Sequence, residues 1–307
     1  MHVKIGGGPQ GIQVNIATSN SSWSPTVKMK LQLERVALKY GDRYALQDLT
    51  AVVEGRIVGL LGANASGKTS LLQILAGVVA PTEGCVLIDG AAITRGRRPG
   101  ISFLPQETGA FPFWQRPGET LSGTFLLKGV IGIDPRKYLA ALGLEEEDRS
   151  AMEFSGGMKQ KLRIAQALAH APRLLLLDEP TTGLDVRERF RVLRLIEHLR
   201  ERVSVIFSTH QPEDVAAVCD EVLILHRGTA VVAGSPTKIA TMADGRVFEV
   251  SLPIDKLPFD PDYEVVQAER NGETIRMRLV GTAPPDARSV SPRLQDAYVF
   301  LTHWLSG

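Results

Sequence analysis

Residues 57–69 read IVGLLGANASGKT, an apolar run followed at once by a glycine-rich loop. The run Ile57–Leu61 is short and continuous, which is typical of a strand that is buried on both faces. Behind the loop, apolar residues recur between Leu71 and Leu75 with the spacing of an amphipathic helix. The stretch therefore predicts a buried strand, a loop and a helix in direct succession.

The loop itself has the spacing of a phosphate-binding loop: Gly, four residues, Gly, Lys and then Thr. Its glycines let backbone N–H groups point at phosphate oxygens, and the following helix adds the positive end of its dipole. Lys68 can reach the β- and γ-phosphates, and the Thr69 hydroxyl can bind Mg²⁺. A chance match in a turn is the alternative, which the flanking strand and helix disfavour. The residues expected to contact the nucleotide are Gly62, Ala63, Asn64, Ala65, Ser66, Gly67, Lys68, Thr69 and Ser70.

A second buried apolar run, Leu174–Leu177, ends in two carboxylates, Asp178 and Glu179. At the carboxyl end of a strand, Asp178 can hold Mg²⁺ and Glu179 can polarise an attacking water. An ordinary turn after a strand is the competing interpretation, but the phosphate loop upstream favours a functional pair. Together the two segments predict that the chain hydrolyses the nucleotide.

Short apolar runs and helical patterns alternate along the middle of the chain, which predicts an α/β fold with a mostly parallel sheet. Before them, residues 31–53 read as half-buried strands. After Gly245 a separate pattern begins, with a strand at Val247–Leu252 and a hairpin around Asn271-Gly272. A final amphipathic helix carries Leu294, Tyr298, Leu301 and Leu305.

Composition excludes several classes of protein. The 35 Lys and Arg nearly balance the 34 Asp and Glu, so there is no basic field for nucleic acid. No apolar run approaches the roughly 20 residues of a membrane-spanning helix, and the N-terminus lacks a signal-peptide pattern. Cys85 and Cys219 have no metal-ligand spacing, and we expect both to be reduced, buried thiols of a cytosolic protein.

A third segment, Ser155-Gly156-Gly157, precedes a helical pattern and can serve either as an anion-binding helix start or as an ordinary N-cap. The three segments in this order resemble the ATP-binding subunits of ABC transporters, over about Leu31 to Pro236. The signature of that family is Leu-Ser-Gly-Gly-Gln, so Phe154 and Met158 depart from it. Ala63 and Ala65 likewise replace the Pro and Gly that are common in its phosphate loop.

The resemblance implies a P-loop NTPase fold with a mostly parallel central sheet, an N-terminal antiparallel β subdomain, a helical insert and a small C-terminal α+β unit. The expected boundaries are a disordered or artefactual leader at 1–28, an ATP-binding domain at 29–240 and an accessory domain at 246–307. The helical insert is expected at about 107–160. A short hairpin is the alternative for the leader.

The resemblance also assigns roles. Gln106 corresponds to the Q-loop glutamine near metal and water, His210 to the switch histidine near the γ-phosphate, and Leu184-Asp185 to the D-loop. Tyr40 lies where the family stacks an aromatic ring on adenine, although it could equally pack on the sheet. The implied catalytic residues are Glu179, His210 and Lys68, and the implied ligands of Mg²⁺ are Thr69, Gln106 and Asp178.

In this family two ATP-binding domains pair head to tail, with each ATP between one phosphate loop and the partner's Ser155–Gly157 segment. The resemblance therefore implies ATP and Mg²⁺ as cofactors and a homodimer or heterodimer with another ABC ATP-binding subunit. It also implies a transmembrane permease, reached from the cytoplasmic face of the inner or plasma membrane, and no nucleic acid. We expect three aromatic residues to help receive that permease: Phe111, Phe113 and Trp114.

The segment Ser291–Phe300 resembles the tail of ABC-2-type exporter ATPases, which favours export. The alternative is a soluble ABC ATPase that acts on ribosomes or DNA. The ribosomal type would carry two copies of every motif, and the DNA-repair type would carry a long coiled coil. This chain has one motif set, and the gap from Thr69 to Ser155 lacks heptads.

Overall fold

The structure is a computed structural model of the 307-residue chain, and the residues that it describes are 28–96, 100–106, 116–127, 134–140, 142–144, 149–169, 171–253 and 262–304. The strands are β1 Met29–Tyr40, β2 Arg43–Gly55, β3 Ile57–Leu61, β4 Glu83–Ile88, β5 Ala91–Ala92, β6 Ile101–Leu104, β7 Leu174–Leu177, β8 Ser204–Thr209, β9 Glu221–His226, β10 Thr229–Gly234, β11 Val247–Pro253, β12 Tyr263–Asn271, β13 Thr274–Gly281 and β14 Arg288–Ser289. The helices are α1 Lys68–Leu75, α2 Pro117–Leu127, α3 Pro135–Ala140, α4 Gly156–Leu168, α5 Val186–Leu199, α6 Pro212–Val218, α7 Pro236–Ala240 and α8 Leu294–Trp304.

The central sheet has the order β10-β9-β3-β8-β7-β6, and its neighbours from β9 to β6 are parallel. The strands β3, β7 and β8 are buried along their whole length, as their continuous apolar runs predict. Because parallel strands end at one edge, the phosphate loop, Asp178 and His210 all follow strands at the same edge of this sheet. The expected mostly parallel fold is confirmed.

A second sheet, with the antiparallel order β2-β1-β4-β5, forms the N-terminal layer. Residues from this sheet, from β3 and from α1 make up one hydrophobic cluster, so α1 lies between the two sheets. A second cluster on the other side of the central sheet includes residues of α2, α4 and α5. These two cores fix the loop before α1 and the start of α4 against the same sheet.

Several sequence expectations fall on residues that the structure does not describe. Residues 1–27 of the leader lie outside the described ranges, as do the three aromatics of the expected permease contact, Phe111, Phe113 and Trp114. Of the region expected to hold the helical insert, the described part contains α2, α3 and the start of α4. The domain boundaries stay predictions.

The C-terminal sheet has the antiparallel order β12-β13-β11-β14 and is covered by α8. The predicted hairpin joins β12 to β13. Its register pairs Asn271 with Thr274, so the two loop residues are Gly272 and Glu273, one position later than an Asn-Gly turn. Gly272 takes the left-handed conformation that such a turn requires, with φ of 63°.

The expectation that both cysteines are buried is wrong for Cys85. This residue lies in β4 with its side chain exposed, because the sheet there faces solvent, and its thiol donates to Glu34 Oε2 at 3.2 Å. Cys219 is partly buried, and burial raises the pKa of its thiol. Among the described residues, no helix is long and apolar enough to cross a bilayer.

Candidate nucleotide-hydrolysing site

The phosphate loop needs glycine at both ends. A Cβ at Gly62 would collide with the Leu225 carbonyl and the Ser66 hydroxyl, so only glycine fits between the loop and β9. Gly67 has a φ of 102° and stands directly before the first residue of α1. The two glycines thus let the backbone wrap closely around the start of the helix, where its N–H groups are free of helical partners.

Lys68 connects the loop to the end of β7. Its buried ammonium Nζ donates to the carbonyl oxygens of Gly62 and Ala63, at 2.8 and 3.0 Å. The same Nζ lies 3.3 Å from Glu179 Oε1. The lysine therefore places a positive charge between the phosphate loop and Glu179, which follows β7.

Asp178 and Glu179 are held together by one hydroxyl from the neighbouring strand. Ser208 Oγ donates to Asp178 Oδ1 at 2.6 Å and accepts the backbone N–H of Glu179 at 2.8 Å. Glu179 has a φ of 48°, a conformation that non-glycine residues rarely adopt and that is concentrated at functional sites. Ser208 thus orients the backbone that turns the Glu179 side chain toward Lys68.

The Glu179 carboxylate also meets the predicted switch histidine. Its Oε2 accepts the Thr182 hydroxyl at 2.7 Å and lies 3.0 Å from His210 Nδ1. His210 follows β8 and is partly exposed, so it stands between the buried carboxylate and solvent. The geometry brings Lys68, Glu179 and His210 into one chain of contacts.

An open cleft of about 630 Å³ lies over the loop. Its lining is Tyr40, Arg43, Tyr44, Ala45, Asn64, Ala65, Ser66, Gly67, Lys68, Thr69, Ser70, Gln106 and Glu179. Tyr40, expected to stack on adenine, is half exposed here, and its hydroxyl donates to Gln73 Oε1 at 3.0 Å. Tyr44 stands in the same wall, with Lys39 Nζ 4.3 Å from the centre of its ring.

The Ser155–Gly157 segment forms the start of α4 and is not part of the cleft lining. Ser155 caps α4 by accepting the Met158 N–H at 3.2 Å, and both Ser155 and Gly156 are exposed. Gly157 is buried against α5, where the Glu188 carboxylate leaves no room for a Cβ. Among the described residues that line the cleft, none comes from this segment. The structure of one chain therefore does not bring the third motif to the first two.

The two residues that depart from the family signature, Phe154 and Met158, both pack into the core. Phe154 is buried in the helical core, and Met158 packs against the same core. The exposed positions Ser155 and Gly156 keep the family's residues. The substitutions therefore change packing and leave the exposed end of α4 unaltered.

Comparison with known proteins agrees with this arrangement. The family model described as ABC transporter matches residues 47–182. The uncharacterized ABC transporter ATP-binding protein YxlF of Bacillus subtilis is 36% identical over 231 residues, which is 72% of this chain and 76% of that protein. This chain belongs to the ABC transporter ATP-binding proteins. It is therefore an ATPase subunit that binds ATP with Mg²⁺.

Relatives of this ABC ATPase include importers and resistance proteins. The spermidine/putrescine import ATP-binding protein PotA of Protochlamydia amoebophila is 34% identical, over 68% of this chain and 58% of that protein. The linearmycin resistance ATP-binding protein LnrL of Bacillus subtilis is 29% identical, over 70% of this chain and 72% of that protein. The solved dimeric structure of the ATP-binding cassette MJ0796, in a post-hydrolysis state with ADP and Pi, has a TM-score of 0.57 and 25% identity. The match covers 67% of this chain and 98% of that chain.

The residues around Asp178 fit a magnesium ion. Asp178 Oδ2 is buried and accepts no hydrogen bond from any described residue, although its other oxygen does. Within the described ranges, no group of three His, Cys, Asp or Glu residues could hold a metal alone. Both facts suit Mg²⁺, which takes one or two carboxylates and completes its shell with waters and substrate phosphates.

Several residues around the site were missed by sequence reasoning. Ser208 and Thr182 orient Glu179, and Arg43 and Tyr44 line the cleft. Arg163 of α4 donates to the Gln106 carbonyl oxygen at 3.1 Å and so fixes the start of the segment after β6. A single hydroxyl, tyrosine or arginine carries no local pattern, so no sequence signal identified these residues.

Proposed function

We propose that this ABC ATPase powers an exporter as a dimer in which each ATP is completed by the partner's Ser155–Gly157 segment. The observation that supports a hydrolytic site most strongly is the Lys68–Glu179–His210 chain of contacts, which joins three distant motifs at one edge of the sheet. We assign ATP to the cleft over the phosphate loop, with Tyr40 beside the base.

In the proposed mechanism, Glu179 Oε1 accepts a proton from the attacking water as the water oxygen bonds to the γ-phosphorus. Oε1 is suited to this role because it is buried and, among the described residues, accepts no hydrogen bond. Lys68 Nζ lies 3.3 Å from it as an ion-pair partner, while Thr182 and His210 hold Oε2 in place. Lys68 turns its charge toward the phosphates, and the bond from γ-phosphorus to the ADP oxygen breaks. A magnesium ion would be held by Asp178, Thr69 and Gln106, and when bound it would neutralise part of the phosphate charge.

The partner's role follows from the exposed end of α4. The first N–H groups of a helix have no partner within the helix, and at α4 the Met158 N–H donates to Ser155, while Ser155 and Gly156 are exposed. Such a surface suits an anion, and within one chain it lies away from the cleft. Placed over the γ-phosphate of a second subunit, it would stabilise the charge of the transition state.

A complementation experiment tests the head-to-tail site. One variant, Lys68→Ala, damages the phosphate loop, and a second, Gly156→Asp, damages the exposed helix end. Gly156 is suited to this change because a Cβ there meets only the Leu184 side chain, at 3.2 Å. Each variant alone should lose ATPase activity and Lys68→Ala should also bind ATP weakly.

Mixed together, the two variants should regain activity. Random pairing makes half of the dimers mixed, and each mixed dimer has one of its two sites intact, so about a quarter of the sites recover. Activity that stays at the level of the single variants would refute a site shared between chains.

Direction of transport needs a separate test. The resemblance of the C-terminal segment to ABC-2-type exporters and the similarity to LnrL support export. The similarity to the import protein PotA favours import, which the experiment has to exclude. The chain would be co-purified with the membrane protein encoded beside it and assayed in inside-out vesicles. ATP-dependent uptake of linearmycin into such vesicles would support export. Failure to co-purify with a membrane protein would favour a soluble ABC ATPase.

A further inference from the structure

Arg163, in the middle of α4, is hydrogen-bonded to the segment that follows β6. Its Nη2 donates to the carbonyl oxygens of Pro105 and Gln106, at 3.5 and 3.1 Å. Its Nη1 donates to Gln160 Oε1 one turn earlier in the same helix, at 3.2 Å, which orients the guanidinium. The side chain is partly buried and arginine keeps its charge, so these bonds are charge-assisted. One side chain therefore ties α4 to two successive peptide groups.

The segment held by Arg163 belongs to the site at the edge of the central sheet. Leu104, the last residue of β6, accepts the backbone N–H of Asp178 at 2.9 Å, so the ends of β6 and β7 are joined. Directly after it in the chain, Gln106 lines the cleft over the phosphate loop. Arg163 therefore holds the backbone of a residue in the wall of the chain's own ATP site.

The same helix carries the segment that we assign to the partner's ATP. The helix α4 is continuous from Gly156 to Leu168, and Arg163 stands about two turns, or about 12 Å, after Ser155. Leu162 and Ile164, on either side of Arg163, are fully buried in the helical core. Because α4 is a single helix, a change in its position at Arg163 changes the position of its exposed start as well.

We propose that Arg163 is a positioning residue that couples the two ATP sites of the dimer. Through Gln106 it contacts the wall of its own ATP site, and through α4 it is joined to the segment that completes the partner subunit's site. The inference rests on the head-to-tail site of the proposed function. It adds a contact by which the two half-sites of one chain are set relative to each other.

Mixed dimers separate the two ends of this connection. In a dimer of one Lys68→Ala chain and one Gly156→Asp chain, the single complete site takes its phosphate loop from the Gly156→Asp chain and its exposed helix start from the Lys68→Ala chain. The Gln106 of the Lys68→Ala chain lies in the other, inactive site. Arg163→Met in that chain removes the donors and keeps an apolar stem, so it can affect the complete site only through α4.

Two readouts follow the complete site. One is the ATP concentration at which a tagged Lys68→Ala chain captures half of the Gly156→Asp chain, and the other is phosphate release from the mixture. With Arg163→Met in the Lys68→Ala chain, the capture concentration should rise about three- to tenfold, the size of one lost hydrogen bond. Phosphate release at a fixed, subsaturating ATP concentration should fall in proportion. An unchanged capture concentration would overturn the proposal.

The second placement of the same substitution distinguishes coupling from a local effect. With Arg163→Met in the Gly156→Asp chain, the altered Gln106 lies in the complete site itself, and phosphate release should fall there too. Loss of activity in this placement alone would show that Arg163 serves only its own site, and the coupling would be refuted.

Gln166→Ala in the Lys68→Ala chain is the matched control. Gln166 lies one turn after Arg163, and its Nε2 donates to Thr124 Oγ1 of α2 at 2.8 Å, not to the segment after β6. Both readouts should stay unchanged in this variant. Losses equal to those of Arg163→Met would show a general disturbance of α4 and would contradict a specific role for Arg163.

The design keeps the two hypotheses apart. If the Lys68→Ala and Gly156→Asp chains do not complement each other, the shared site of the proposed function fails. If they do, and Arg163→Met in the Lys68→Ala chain has no effect, only this inference fails. Urea denaturation checks that Arg163→Met is folded. Should it not fold, Arg163→Gln takes its place, since its shorter side chain cannot span the same distance, and the same outcomes decide.

Discussion

At the end of β7, Asp178 and Glu179 each keep one oxygen that accepts no hydrogen bond from the described residues, whereas Asp214 and Asp296 have both oxygens bonded. All four are buried, with exposed fractions of 3% and 8% against 0% and 0%. Asp214 accepts from Arg189 and Thr181, which links the loop after β7 to α5 and α6. The difference separates carboxylates that leave room for a ligand from carboxylates that hold elements together.

An unsatisfied buried oxygen costs free energy, about 1 to 3 kcal/mol for a typical group. Such a cost is tolerated where a ligand or reaction uses the oxygen, which is the role we assign to Asp178 and Glu179. The buried Glu188 Oε2 also lacks a hydrogen bond from the described residues, so the pattern alone does not identify a functional carboxylate. Substitutions at the first pair should therefore change turnover, and substitutions at the second pair should change the free energy of unfolding.

The largest effect is expected for Glu179→Gln. Removing the proposed base should lower kcat about a thousandfold, within the range that general acid–base groups contribute, while ATP binding is kept. Phosphate release measures the first effect, and size-exclusion chromatography with ATP and Mg²⁺ should show an accumulated dimer. Glu213→Gln is the control, because Glu213 is an exposed carboxylate. Its Oε2 lies 3.8 Å from Arg189 Nη2. Normal turnover in Glu179→Gln would remove Glu179 from the mechanism.

Two arginines of β13 give a matched pair for stability. Arg278 and Arg276 both pair with carboxylates, but their side chains are 6% and 61% exposed. Breaking the buried pair with Arg278→Ala should cost about 3 to 5 kcal/mol in the free energy of unfolding. Arg276→Ala should cost no more than about 1 kcal/mol. Urea denaturation compares them, and equal losses would contradict the distinction between the two pairs.

A smaller effect on turnover is expected for Ser208→Ala. The hydroxyl bonds both Asp178 Oδ1 and the Glu179 N–H, so its loss loosens the geometry of the site without removing either carboxylate. We expect kcat to fall about tenfold, which corresponds to about 1.4 kcal/mol. Ser204→Ala, another buried serine on β8, serves as the control. If both variants behaved alike, Ser208 would have no specific role.

The smallest effect concerns the pH dependence of stability at Asp220. Burial raises the pKa of this carboxyl, but the Ile57 N–H, the Arg200 guanidinium and the Arg56 N–H outweigh it, so the pKa lies below its usual value of 3.8. A lowered pKa in the folded state stabilises the fold above the usual value, and this stability is lost as pH falls through the folded-state pKa.

The matching variant is Asp220→Asn. It should be less stable than the unmodified chain at neutral pH, and the difference should shrink on acidification below the usual pKa. Urea midpoints between pH 3 and pH 7 measure this, the range being set by the direction of the shift. A constant difference across that range would show that the ionised form of Asp220 does not contribute.

The sequence predicts those parts of the site whose residues are adjacent in the chain. The phosphate loop is predicted by its spacing, and the pair Asp178-Glu179 by its place after a buried strand together with that loop upstream. The partners that orient them are not: Ser208 is about thirty positions from Asp178, and it meets that residue only because β7 and β8 are neighbours. Contacts of this kind depend on strand order, which no local pattern reports.

The C-terminal unit shows the same limit. Alternation along β13 places Arg276 and Arg278 on one face, but only the docking of α8 buries the second of them. Tyr298 reads as one apolar position of an amphipathic helix, and its packing against the cluster that contains Leu61 depends on how that helix meets the central sheet. The exposed Cys85 was misjudged for a related reason, since the strand that carries it has one face toward solvent.

The tight contact at Gly157 has a mechanical consequence. Because Glu188 occupies the space of a side chain at Gly157, α4 and α5 are in close contact at this point. Glu188 is bound in turn to Asp185, which caps α5 through the Glu188 N–H at 2.9 Å. The starts of the two helices are thus in direct contact, and we expect a displacement at Ser155 to move Leu184-Asp185 as well.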